Sequence, residues 1–113
     1  MPEKTLFQRI ADRELPAEIV YEDEQAVAFR DIAPKAPTHV LIVPRKPIPR
    51  ADAVAPEDEA LVGHLFTVAR RVAEAEGLSD YRLVVNNGAG AGQTVFHLHV
   101  HLLAGRPLTW PPG

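Results

Sequence analysis

V-F-H-L-H-V-H-L-L, residues Val95–Leu103, is the stretch that decides the reading of this 113-residue chain. His97, His99 and His101 stand at every second position, with Phe96, Leu98, Val100 and Leu102 between them. Successive side chains of a strand point to opposite faces, so the alternation puts three imidazoles on one face and an apolar row on the other. Along a strand, neighbouring imidazoles would stand roughly 6.6 Å apart. Only five histidines occur in the chain, and three of them fall here.

On the residues alone, three readings of this face compete. A solvated strand face can carry histidines with no chemistry, which accounts easily for one and poorly for three in register. A metal site could use the His-x-His spacing, since alternate strand residues reach one ion. A catalytic zinc site also wants a carboxylate base and outer carboxylates, and no Asp or Glu occurs from Leu83 to the C-terminus. In the third reading, one neutral imidazole attacks an electrophile while its neighbours donate hydrogen bonds to the developing charge.

The segment just before the histidines favours the third. N-G-A-G-A-G-Q-T, Asn87–Thr94, carries three glycines. It reads either as a flexible turn or as a nest whose inward N–H groups cradle an anion. Placed directly before the histidine row, the anion reading points to phosphate. Imidazole is a good nucleophile near neutral pH and a good leaving group when protonated, which suits two displacements at phosphorus.

Further out, Thr5–Asp12 has Leu6, Phe7 and Ile10 at helical spacing and a cap at Thr5. Ile19–Glu22 and Ala26–Asp31 read as strands joined by an acidic E-D-E hairpin turn. Ala33–His39 is a proline-fixed loop feeding a buried strand, Val40–Val43, and Pro44–Arg50 is a second proline-rich connector. A helix is predicted from Pro56 to Glu76, opening with proline and E-D-E and stopping at Gly77. Leu61, Leu65, Val68, Val72 and Ala75 make one apolar stripe on it; Val62, Phe66, Ala69 and Ala73 make a second. The second stripe packs either on another subunit or under a loop. His64, on the same helix, reads as a surface or interface residue. Tyr81–Asn86 is a strand, and an irregular tail carries the only tryptophan. The sum is one α+β domain, residues 1–113: an antiparallel sheet of about five strands, one main helix and a short N-terminal helix.

Composition narrows the classes. The net charge of −3 argues against a nucleic-acid surface. With no cysteine, disulfides and thiolate metal sites are excluded. No apolar run approaches the ~20 residues of a membrane span, and Met1–Ile10 offers no apolar stretch for a signal peptide. The cytoplasm is the expected location.

These residues resemble the histidine triad (HIT) family, whose signature is H-x-H-x-H followed by two apolar residues; His97–Leu103, H-L-H-V-H-L-L, matches it throughout. F-R-D-I-A-P-K-A-P-T-H, Phe29–His39, resembles the family's nucleotide-binding segment, and G-Q-T-V, Gly92–Val95, its phosphate loop. The ending W-P-P-G, Trp110–Gly113, is similar to that of the Hint branch, the purine nucleoside phosphoramidases. The resemblance implies a hydrolase that cleaves the P–N bond of purine nucleoside 5′-phosphoramidates through a nucleotidyl-histidine intermediate, without cofactor or metal. Its enzyme alternatives are dinucleoside polyphosphate hydrolysis and nucleotidyl transfer. Rivals of another class are a nucleotide-binding scaffold and a zinc module built on His97, His99 and His101.

By the same resemblance, His99 is the nucleophile, His101 bonds a phosphate oxygen, His97 orients its neighbours and His39 completes a catalytic four. Asp31 would hold the ribose hydroxyls with Ile32 beside it, and Phe7, Leu15 and Phe29 would form the purine slot. Asn86, Gly92, Gln93 and Thr94 would bind phosphate. Members are homodimers, and Trp110 would reach towards the partner's site. Without the resemblance, Asp31 reads as a turn residue, Asn86 as a strand-end cap, Phe7 and Phe29 as core, and Trp110 as a packing anchor. Two departures stand out: Pro47 replaces a histidine common in Hint relatives, and Thr94 replaces a serine.

Overall fold

The computed structural model describes residues 3–113, so the start of the Met1–Ile10 stretch lies outside the described residues. Helix α1 (Leu6–Ala11) is closed by a capping box: the Thr5 hydroxyl accepts from the Gln8 N–H, and the Gln8 side chain accepts from the Thr5 N–H. Strands β1 (Ile19–Glu22) and β2 (Ala26–Arg30) form a hairpin. The Asp23 carboxylate tightens its turn by accepting from the Gln25 and Ala26 N–H groups. Strand β3 (Thr38–Pro44) is followed by short 3-10 turns and then helix α2 (Glu59–Ala75). Strands β4 (Arg82–Val84) and β5 (Val100–Ala104) complete an antiparallel sheet of order β1-β2-β3-β5-β4.

One helix lies on each face. Residues of even number on β3 and β5, namely Val40, Ile42, Val100, Leu102 and Ala104, join Ala26 and Ala28 beneath Leu65, Val68, Ala69, Val72 and Ala73 of α2. The opposite face buries Val27, Phe29, Leu41 and Val43 against Phe7, Ile10 and Ala11 of α1. Helix α2 ends as predicted, with Gly77 at φ +70, a backbone conformation glycine adopts without penalty. Its N-terminal turn, Pro56–Asp58, is 3-10 rather than α. The second stripe divides: Ala69 and Ala73 enter the core, while Phe66 is 51% exposed.

The histidine stretch departs most from expectation. Only Val100–Ala104 of it pairs in the sheet, and residues 95–99 approach as irregular backbone. The reason lies in a competing partner: the Leu98 N–H donates to the Ile48 carbonyl of the preceding connector at 2.6 Å, outside any ladder. The alternation of faces survives, because Leu98 is buried in the α2-side core with Val100 and Leu102. Strand β3 begins earlier than expected, so His39 belongs to a strand and not to a loop end. The predicted Tyr81–Asn86 strand shortens to three residues.

Candidate active site

The site is built on the α1 side of the sheet. Pairing aligns Phe29 with Leu41, Leu41 with His101, and His101 with Val84, so one row of side chains crosses four strands on one face. Helix α1 closes one side. The ring of Phe7 meets Phe29 edge-on at 5.3 Å and His99 edge-on at 4.9 Å. Between them lies a cleft of about 520 Å³ lined by Phe7, Leu15, Phe29, Asp31, Ile32, Thr94, His99 and His101. Leu6, Ile10, Leu41 and Val95 also line it, and none of these four is among the site residues expected from the sequence. A cleft of similar size, about 580 Å³, runs between 77–82 and 105–108, but it contains no histidine. The chemistry therefore sits in the first.

The hydrogen-bond partners assign the tautomer of each histidine. A carbonyl can only accept, so His97 donates from Nε2 to Pro44 O at 2.6 Å, and its Nδ1 keeps a lone pair facing the Thr5 hydroxyl at 2.6 Å. His99 donates from Nδ1 to the His97 carbonyl at 2.7 Å, which leaves the lone pair on Nε2. The Lys35 N–H donates to Nδ1 of His39 at 3.0 Å, so His39 carries its proton on Nε2 and gives it to Nδ1 of His101 at 2.9 Å. The remaining proton of His101 is then on Nε2. The ring centroids of His99 and His101 are 4.9 Å apart, and the bonds at their Nδ1 atoms leave an acceptor Nε2 on one ring and a donor Nε2 on the other.

All four imidazoles are held neutral. Burial lowers the pKa of His39, His97 and His99 below 6.5. Burial, and then the like charges that His99 and His39 would carry, push His101 down to about 4. Asp31 acts the other way, its carboxylate lying 3.5 Å from Nε2 of His39. Asp31 also accepts from the Ala33 N–H at 2.8 Å, so the turn role and a place at the cleft belong to one residue.

This geometry does not form a three-histidine metal set. Both ring nitrogens of His97 are committed, to Thr5 and Pro44, so its ring cannot share an ion with His99 and His101. Asp31, His39 and His101 do bring ligand-type atoms within 4.8 Å of one another. There, however, the Lys35 N–H forces the proton onto the His39 nitrogen that faces the cluster, and a metal ligand needs a lone pair at that atom.

The glycine loop differs from the expected nest. Ala91 and Gln93 donate their N–H groups to the Gly88 carbonyl, and Gly92 donates to Ala89, so these amides are spent inside the loop. Gln93 is buried with its side chain turned inward: it accepts from the Gly88 N–H and donates to the carbonyls of Pro49 and Val95. Gly92 takes φ +100, and Asn86 packs beside it, its amide nitrogen 3.7 Å from where a Cβ would stand. Of the four expected phosphate residues, only Thr94 lines the cleft. Asn86, Gly92 and Gln93 shape the loop that presents it. Trp110 is 81% exposed, with the Arg82 guanidinium 6.0 Å from its ring, and it does not border the cleft. Ile32, 95% exposed, forms the rim. His64 lies apart from this face, its Nε2 2.6 Å from the Asp23 carboxylate, and ties α2 to the hairpin.

Comparison with known proteins agrees with the geometry. The HIT domain matches residues 12–108. An uncharacterised HIT-like protein of Synechocystis is 57% identical over the whole of both chains. The purine nucleoside phosphoramidase of Escherichia coli K12 is 49% identical over 96% of this chain and 92% of that one. A crystal structure of a HIT family hydrolase from Legionella pneumophila superimposes with a TM-score of 0.94 at 50% identity, covering 97% of this chain and all of that one. With its triad, its five-stranded sheet and a family match across most of its length, this chain belongs to the HIT family.

Proposed function

We propose that this chain hydrolyses purine nucleoside 5′-phosphoramidates at the P–N bond through a nucleotidyl-histidine intermediate. The observation that carries the reading is the tautomer of His99: its Nδ1 proton is pinned to a backbone carbonyl, which leaves Nε2 basic at the cleft. The E. coli relative named for this activity supports the same reading.

The purine enters the apolar slot between Phe7, Leu15 and Phe29, and the Asp31 carboxylate accepts from the ribose hydroxyls. Nε2 of His99 attacks the α-phosphorus. The P–N bond of the substrate breaks, and the amine leaves with the electron pair and a proton from solvent. His101 donates from Nε2 to a phosphate oxygen as charge develops, and the Thr94 hydroxyl lies towards the leaving group. The phosphorylated ring is cationic, because Nδ1 keeps its proton on the His97 carbonyl, and a cationic ring is a good leaving group. Water then attacks phosphorus, releases a proton to solvent and frees the nucleoside monophosphate, which restores neutral His99. Lowered histidine pKa values keep the nucleophile unprotonated at pH 7.

The test is His99→Gly with an adenosine phosphoramidate. The variant is expected to bind adenosine monophosphate and lose turnover, while quenched wild-type enzyme shows a nucleotide attached to His99 by peptide mass spectrometry. Near-normal rates in the variant would refute the reading. The same proposal includes a homodimer, supported by the exposed Phe66 on α2 and by Val85 beside the edge strand β4; sedimentation as a monomer at micromolar concentration would remove that part.

A further inference from the structure

The N-terminal cap residue Thr5 bonds to a histidine 92 positions away. The Pro44 carbonyl takes the Nε2 proton of His97, so Nδ1 of that ring can only accept, and the donor at 2.6 Å must be the Thr5 hydroxyl. The same oxygen accepts from the Gln8 N–H at 3.0 Å and so begins α1. His97 is fully buried, and its carbonyl is the partner of Nδ1 on His99. A continuous series therefore runs from the Thr5 hydroxyl through the His97 ring and carbonyl to the nucleophile. Two residues after Thr5, Phe7 lies edge-on to both rings, 6.0 Å from His97 and 4.9 Å from His99.

We propose that Thr5 is a positioning residue: its hydroxyl proton fixes the tautomer and angle of His97, and through the His97 carbonyl it aims His99 at phosphorus. The proposal rests on the functional reading above for its kinetic arm only. Helix α1 then has two tasks, since it walls the base slot with Phe7 and holds the nucleophile through its cap.

Three variants separate positioning from helix capping. Thr5→Asp keeps an N-cap acceptor for the Gln8 N–H but has no hydrogen to give His97. Thr5→Val removes both functions, and Thr5→Ser keeps both. In Thr5→Asp, kcat for an adenosine phosphoramidate is expected to fall about 10- to 100-fold with KM near the wild-type value, the size of loss expected when a reacting group is misaimed. Thr5→Ser is expected to recover most of the rate. In 15N-imidazole NMR, wild-type His97 should show a bare Nδ1 and a protonated Nε2; Thr5→Asp should protonate Nδ1 and shift the His99 ring signals, and Thr5→Ser should do neither. A cap that serves only the helix predicts wild-type kcat and unmoved ring signals in Thr5→Asp, and either result overturns the proposal. If the wild-type protein turned over no phosphoramidate, the functional reading would fail while the NMR comparison still decided the Thr5–His97–His99 coupling.

Discussion

Acid should loosen this protein well above the range where carboxylates titrate, and His101 sets the scale. Its pKa is about 4 in the folded protein against an ordinary 6.5, because burial and two neighbouring imidazoles oppose its charge. The unfolded chain therefore binds more protons than the folded one between those values, so stability is complete above pH 6.5 and drains away as pH falls through it towards 4. Linkage puts the loss from His101 alone at about 2 kcal/mol between pH 7.5 and 5. His39, His97 and His99 shift in the same direction and add to it. For a domain of ordinary stability, ~5–15 kcal/mol, that loss is large. Asp23 does not contribute in this window, since bonds from His64, Tyr21 and the hairpin amides keep its carboxylate ionised far below pH 5. Urea unfolding followed by circular dichroism at pH 7.5, 6.5, 5.5 and 5.0, at one protein concentration, measures the effect. His101→Gln, which has nothing to titrate at that position, should lose distinctly less between the two ends. Equal losses in both proteins, or a flat wild-type profile, would refute the argument.

Three other outcomes follow from named contacts. Gln93→Leu strands the Gly88 N–H and the carbonyls of Pro49 and Val95, and should cost about 3 kcal/mol by chemical denaturation. Gly105→Ala places a methyl 2.7 Å from Cβ of Pro37 at φ +98, so the melting temperature should drop. Asp31→Asn should raise KM for an adenosine phosphoramidate and narrow the preference for ribose over 2′-deoxyribose; an unchanged ratio would remove Asp31 from sugar recognition.

Much of the architecture was legible because it rests on periodicity. The spacing of Leu65, Val68 and Val72 marks a helix face, and the cap at Thr5 and the glycine at 77 mark helix ends in local chemistry that needs no distant partner. The site was legible in its histidines, since alternation survives even where the ladder does not. What the chain could not announce were contacts between segments far apart. The Ile48 carbonyl captures the Leu98 N–H and keeps Val95–His99 out of the sheet. Gln93 looked like a phosphate ligand and turns inward instead, because Gly88, Pro49 and Val95 meet its amide.

Local sequence by itself determined that three imidazoles share one face opposite an apolar row, a consequence of backbone geometry at every second residue. Only the tertiary structure decided which nitrogen of each ring holds the proton. That choice belongs to the Pro44 carbonyl, the Lys35 N–H, the Thr5 hydroxyl and the His97 carbonyl, three of them far from the triad in sequence. A neutral imidazole has two nearly equivalent tautomers, and the partner brought to it by folding selects one.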